Sequence, residues 1–157
     1  MMEPTVRTAR RAALLLGVGM GGFVDGIALH QIAQWHNMLS ARVPPHGMEA
    51  MRTNMTADGL FHAGVWIVTL AGVFTLWSAG RPGTPLPPLR AGTGWMLMGW
   101  GGFNLVEGII DHHLLNLHHV RDLPVHVPAL DWLFLLVGGA GLLLAGWAMA
   151  RPFAARG

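Results

Sequence analysis

The segment GGFNLVEGIIDHHLLNLHHVR, Gly101 to Arg121, begins inside a long apolar stretch and ends among histidines. It carries Asn104, Glu107, Asp111, His112, His113, His118 and His119. An ionisable group at the centre of a bilayer-spanning helix costs ~2.5–3.5 kcal/mol on insertion scales, so the groups that persist there face protein, water or an ion. The segment therefore predicts a polar site buried inside a helical membrane protein, with a metal ion as the leading candidate occupant.

Composition supports the membrane reading. Of 157 residues, 52% are hydrophobic and 11% charged, against about 25% charged in a soluble domain. The expectation is a single transmembrane domain over residues 1–157. There is no cysteine, which excludes disulfides, thiolate metal sites and cysteine nucleophiles. All ten basic residues are arginine and the formal charge is only +2. The arginines are scattered and no aromatic–basic motif accompanies them, so no nucleic-acid partner is expected. The expected partner is the lipid bilayer, with a second copy or another membrane protein as further candidates.

Four apolar segments run outward from this frame: Ala12 to Trp35, Gly59 to Ser78, Gly92 to Leu117, and Leu130 to Met149. Segments of ~20 residues suffice to cross the ~30 Å hydrocarbon core as helices. Asp58 and Asp131 stand at the starts of the second and fourth segments and read as N-caps. An arginine-rich start before an apolar run also fits a signal peptide, but the first segment recurs later in the chain. With the N-terminus inside, Arg7, Arg10, Arg11, Arg81, Arg90, Arg151 and Arg156 lie on the inner side, against Arg42, Arg52 and Arg121 outside. That split obeys the positive-inside rule. It predicts cytoplasmic termini and a histidine-rich outer half.

Gly17–His36 slides onto Gly99–His118 without a gap. Seven of twenty positions are identical, including Gly26/Gly108, His30/His112 and His36/His118, and Asp25 falls on Glu107. A weaker echo pairs DGLF at Asp58–Phe61 with DWLF at Asp131–Phe134. The predicted fold is all-α: an integral membrane four-helix bundle built from two parallel two-helix repeats, about 12–80 and 92–150. The repeat predicts Asp25 close to Glu107.

The candidate metal ligands are Asp25, His30, His36, His62, Glu107, Asp111, His112, His113 and His118. At 100° per residue, Glu107, Asp111, His118 and Asn104 share one face. Asp25 and His30 are about 140° apart with ~7.5 Å of rise, so no single ideal helix lets both reach one ion, and His62 of the second segment is the expected partner. His36 and His118 lie ~16 Å above the carboxylates on a continued helix and form an outer layer. His46, His118, His119 and His126 also read as solvated loop histidines. Asp, Glu and His without Cys suit Fe, Zn or Cu(II), and inward carboxylates and histidines are how four-helix bundles build metal centres. The E-x-x-H pair of that class is absent.

The strings GGFVDGIALHQIAQWHNML, DGLFHA, NLVEGIIDHHLLNLHHVRD and DWLFL resemble a family of small four-helix bacterial membrane proteins catalogued as a domain of unknown function. The resemblance covers Gly17 to about Gly146 and implies a bacterial inner-membrane location, without an established activity. The functional expectation is a membrane protein whose outer half holds a transition metal (Cu, Fe or Zn), as in a metal-dependent redox enzyme. The alternatives are a proton or metal-ion transport protein, a haem protein ligated by His30 and His112, and a structural or assembly subunit with a polar hydrogen-bond network.

Overall fold

A computed structural model describes residues 3–80 and 84–154. Arg81 and Arg156, counted above on the inner side, lie outside the described residues. Four helical rods follow one another. The first, α1, joins an α-helix Pro4–Val24 to a π-helix Asp25–Ile32. The second, α2, is an uninterrupted α-helix Met48–Ala79. The third, α3, joins Leu89–Glu107 to a π-helix Gly108–Leu114. The fourth, α4, runs through Pro128–Leu133, a π-helix Phe134–Gly141, and Leu142–Ala154. Proline opens both α1 and α4, where its missing N–H is no loss and its fixed φ suits the first turn.

The rods pack with α1 against α3 at the centre, α2 on α1, and α4 on α3. α1 and α3 run in the same direction: Ala13 meets Ala91 and Trp95 at one end, and histidines that follow each helix meet at the other. Three rods, α1, α2 and α4, are long and apolar enough to cross a membrane. α3 is diluted by glycines, Asn104 and Glu107, and it is flanked by α1 and α4.

Two sequence boundaries require correction. α2 begins at Met48, ten residues before Asp58, so Asp58 is not an N-cap. The stretch MEAMRTNMTA reads as a loop by its polarity, but it contains no Gly or Pro and is rich in good helix formers. α1 likewise begins at Pro4 rather than Ala12, carrying Arg7, Arg10 and Arg11 on helix.

The side-chain distribution is inverted relative to a soluble bundle. The largest fully buried side chains are His36, His112, His118 and Asn54. Leu60, Trp66, Phe74, Trp77, Leu136 and Leu144 are exposed on the outside. A lipid-facing surface has this composition, since lipid tails are as apolar as leucine.

Glycine sets the central contact. A Cβ at Gly17 would collide with the Met96 carbonyl oxygen, and one at Gly99 with the Leu14 carbonyl oxygen. The two backbones therefore touch directly, in a reciprocal way that only glycine permits. Gly99→Leu separates α1 from α3; overpacking of this kind costs roughly 1–3 kcal/mol. The expected result is a lowered thermal-unfolding midpoint in detergent, with Gly102→Leu, where an added Cβ meets open space, leaving it near the wild-type value.

Candidate metal centre

The π-helices bring the site together. A π-turn bonds residue i to i+5 rather than i+4, and Ala33 N–H to Ala28 O and Leu115 N–H to Ile110 O are such bonds. Residues five apart then share a face. Asp25 and His30 are five apart, as are Glu107 and His112. His30 Nε2 lies 3.1 Å from Asp25 Oδ2, and His112 Nε2 lies 3.5 Å from Glu107 Oε1. The 140° separation expected from an ideal α-helix is thereby corrected: the wider turn removes it.

The expected outer layer is corrected as well. The π-helices of α1 and α3 are each followed by a residue in the left-handed region, Gln34 at φ 51° and Asn116 at φ 47°. Asn tolerates this conformation; Gln adopts it rarely. The chain turns back over the helix end instead of rising. His36 Nε2 comes to 3.6 Å from Asp25 Oδ1, and His118 Nε2 to 3.1 Å from Glu107 Oε1. His118 is fully buried, not a solvated loop residue. The His36 and His118 rings stack with centroids 4.5 Å apart, and His30 and His36 meet edge to face at 4.4 Å.

The outer nitrogens of the rings are held by acceptors. His36 Nδ1 donates to Val120 O at 3.0 Å, and His118 Nδ1 donates to Met38 O at 3.2 Å. His30 Nδ1 lies 3.1 Å from Asp58 Oδ1 and donates to it. His112 Nδ1 lies 3.4 Å from Asp131 Oδ1. The aspartates are held in turn: Asp58 Oδ1 accepts the Met38 N–H at 2.7 Å, and Asp131 Oδ1 accepts the Val120 N–H at 2.8 Å. Carbonyl oxygens only accept, so His36 and His118 carry a proton on Nδ1; both turn Nε2 inward, that of His36 unpartnered and that of His118 bonded to Glu107 Oε1 at 3.1 Å.

That leaves lone pair facing lone pair. Asp25 Oδ2, His30 Nε2, His36 Nε2, Glu107 Oε2 and both nitrogens of His112 are buried without a hydrogen-bond partner. The His30–Asp25 approach, though 3.1 Å, lacks hydrogen-bond geometry. Two triads, His30–His36–His118 and Glu107–His112–His118, each offer ligand atoms within 4.8 Å of one another and are able to hold a metal ion.

Other residues singled out in the sequence stand elsewhere. His62 Nδ1 is bonded to its own helix at Asp58 O, 2.7 Å, and its ring abuts Gly26. Asp111 is half-buried. His113 is exposed and tilts over Trp132 at 4.8 Å. Asn104 donates to Gly138 O at 2.8 Å, on the π-helix of α4. The residues missed as site members are Asp58 and Asp131; the DGLF/DWLF echo marked them, but their places ahead of apolar runs made them read as caps.

A cleft of about 520 Å³ reaches the cluster from one side, lined by His30, Gln31, Gln34, Asn37, Met51, Met55, Asp58, Gly59 and His62. The return loops are stitched across the top. Ala41 N–H donates to Leu117 O at 3.1 Å, and Asp122 and Leu123 N–H donate to Trp35 O at 2.9 and 2.8 Å. Ser40 Oγ donates to Asp122 Oδ2 at 2.6 Å, and the Arg42 guanidinium donates to Leu115 O.

The fold and the site define an α-helical membrane protein with a polar His–carboxylate core. Residues 12–152 match the family described as a predicted membrane protein (DUF2243), and the chain belongs to that family. No curated protein and no solved structure matches the chain.

Asp122 lies outside the membrane-spanning helices and gives the loop clasp a pH dependence. Burial opposes its ionisation, but hydrogen bonds from Ser40 and from the ring and backbone N–H of His119 outweigh it and hold the carboxyl below its usual 3.8. A depressed carboxylate contributes stability that is present above the unfolded value and lost as pH falls through the folded one. Asp122→Asn is therefore less stable than wild type at pH 7. Thermal unfolding followed below pH 3.8 should show the two midpoints converging.

Proposed function

We propose that the protein is a membrane metalloprotein in which Asp25, His30, His36, Glu107, His112 and His118 bind one or two divalent transition ions. The observation that carries this reading is the convergence of unpartnered Nε2 and carboxylate atoms, with Nδ1 of His30, His36 and His118 already committed to an acceptor. Metal-binding histidines use their second nitrogen in this way, and the outer acceptor fixes tautomer and ring orientation. Asp58 takes that supporting part for His30, and Asp131 stands 3.4 Å from His112 Nδ1 without bonding it. A cation placed among the lone pairs removes the cost of burying them unpaired, about 1–3 kcal/mol per neutral group and more for a charge. The nitrogen and oxygen donor set, without sulfur, suits iron, zinc or copper(II).

The cleft beside His30 gives a small molecule a path to the ions, as a metal-dependent redox enzyme requires. Reciprocal Gly17/Met96 and Gly99/Leu14 contacts, paired π-helices and matched histidines support an origin in two parallel two-helix repeats. Arg7, Arg10, Arg11, Arg90 and Arg151 sit at the end of the rods away from the cluster, which supports cytoplasmic termini in the inner membrane and an outward-facing site. Reporter fusions at the C-terminus and within Pro85–Pro88 are both expected to read cytoplasm.

A second reading follows from the good geometry of the His118 Nε2–Glu107 Oε1 bond at 3.1 Å. Protonated on both nitrogens, the histidines neutralise the carboxylates as a purely structural network. Metal analysis separates the two. Protein purified without chelator carries near-stoichiometric metal on the first reading and none on the second. His30→Ala and Glu107→Gln then lose metal and stability together, because binding is coupled to folding. Asp58→Asn, which touches no ion, weakens affinity about 10–100-fold. A metal-free protein whose stability does not change on metal addition would refute the metalloprotein reading.

A further inference from the structure

A second cluster stands on the outer loop, beyond the central ring of histidines. His119, His126 and Asp131 each offer a ligand atom, and the three atoms lie within 4.8 Å of one another. His126 Nε2 is 3.0 Å from Asp131 Oδ2. His119 Nδ1 donates to Asp122 Oδ1 at 2.9 Å, which leaves Nε2 of the neutral ring with its lone pair. The two rings stack with centroids 3.9 Å apart. The His126 side chain is 40% exposed while that of Asp131 is 3% exposed, so a buried carboxylate is met from solvent by imidazole.

The contrast with Asp58 gives the cluster its meaning. The outer oxygen of Asp58 accepts from the Asn37 amide at 2.7 Å. Asn37 is the residue that falls on His119 when Gly17–His36 is extended over Gly99–His118. An amide seals the aspartate with a neutral donor and binds no transition ion. Imidazole at the matching place both satisfies the loop and offers a borderline nitrogen ligand.

We infer that His119, His126 and Asp131 form a second, solvent-accessible site for a divalent transition ion such as Zn²⁺. Asp131 is common to both sites: Oδ1 faces His112 Nδ1 at 3.4 Å and Oδ2 faces the outer ion. The outer site thus lies one carboxylate away from the central histidines, on the solvent side. Its three protein ligands leave a fourth position to water, the pattern of an exchanging rather than a closed site. The assignment stands on these loop residues and is independent of what occupies the centre.

The test is a Zn²⁺ titration, against a competing chelator, of the full chain in detergent, with tightly held metal counted separately by elemental analysis. Wild type is expected to take up one more exchangeable equivalent than His126→Ala. His119→Asn, which copies Asn37 and keeps a hydrogen-bonding side chain, should also lose that equivalent, and circular dichroism should show both variants folded. His46→Ala, in an exposed loop position, should keep it. Indistinguishable isotherms for wild type, His126→Ala and His119→Asn overturn the proposal, as does loss of the equivalent in His46→Ala. A protein with no tightly held metal but a His126-dependent exchangeable equivalent would refute the central metalloprotein reading and leave this one standing.

Discussion

Everything in this molecule answers to the cost of an unpaired lone pair in an apolar surround. Asp25 and Glu107 lie inside a bundle whose outer surface carries leucine, tryptophan and phenylalanine. A carboxylate there needs a partner of opposite character. The chain supplies imidazoles, and then fixes three of their outer nitrogens on acceptors, so that in the neutral rings the inner nitrogens too are acceptors. The arrangement is self-consistent only around a positive centre, whether metal ions or protons. Three successive shells follow from this: inward Nε2 and carboxylate oxygens, the acceptors behind Nδ1, and the backbone N–H groups that hold Asp58 and Asp131.

The backbone irregularities serve that requirement. An α-helix presents i and i+4 on one face and would turn His30 away from Asp25. Widening the helix to i+5 bonding recovers the alignment, and π-turns are found at functional sites for this kind of reason. The left-handed residues Gln34 and Asn116 then end each helix sharply enough for His36 and His118 to fold back. Direct backbone contact at Gly17 and Gly99 keeps α1 and α3 close enough for the two sets of histidines to stack.

Much of this was legible in the residues. The long apolar runs with few charges gave four helices, three of them long and apolar enough to cross a membrane, and the cost of leaving Glu107 or Asp25 in lipid gave a buried polar site. The matched D/E–H–H spacing paired the six side chains that converge, although a continued helix would put His36 and His118 in a separate outer layer. What the sequence hid was geometric. No simple signal marks a π-turn, so a fixed 100° step grouped Asp111 with Glu107 and set His112 aside. Asn116 carried a hint of a left-handed turn, but Gln34 did not. Asp58 reads as a helix start because the stretch upstream of it is polar, although that stretch is rich in good helix formers. His62 looked like the natural ligand on α2, yet its own helix carbonyl claims it.

The cross-stitching of the two return loops also makes each half of the chain depend on the other for the aim of its histidines. His30 is oriented by Asp58, and His36 by Val120; Glu107, which matches Asp25 across the site, lies between Asp58 and Val120 in the chain. When α1 and α2 have entered the bilayer, two of the eventual inward histidines are already there, but the carbonyl that aims His36 lies 84 residues downstream. Only with the second loop in place are the contacts that orient His36 complete, so the arrangement belongs to the whole chain rather than to either hairpin alone.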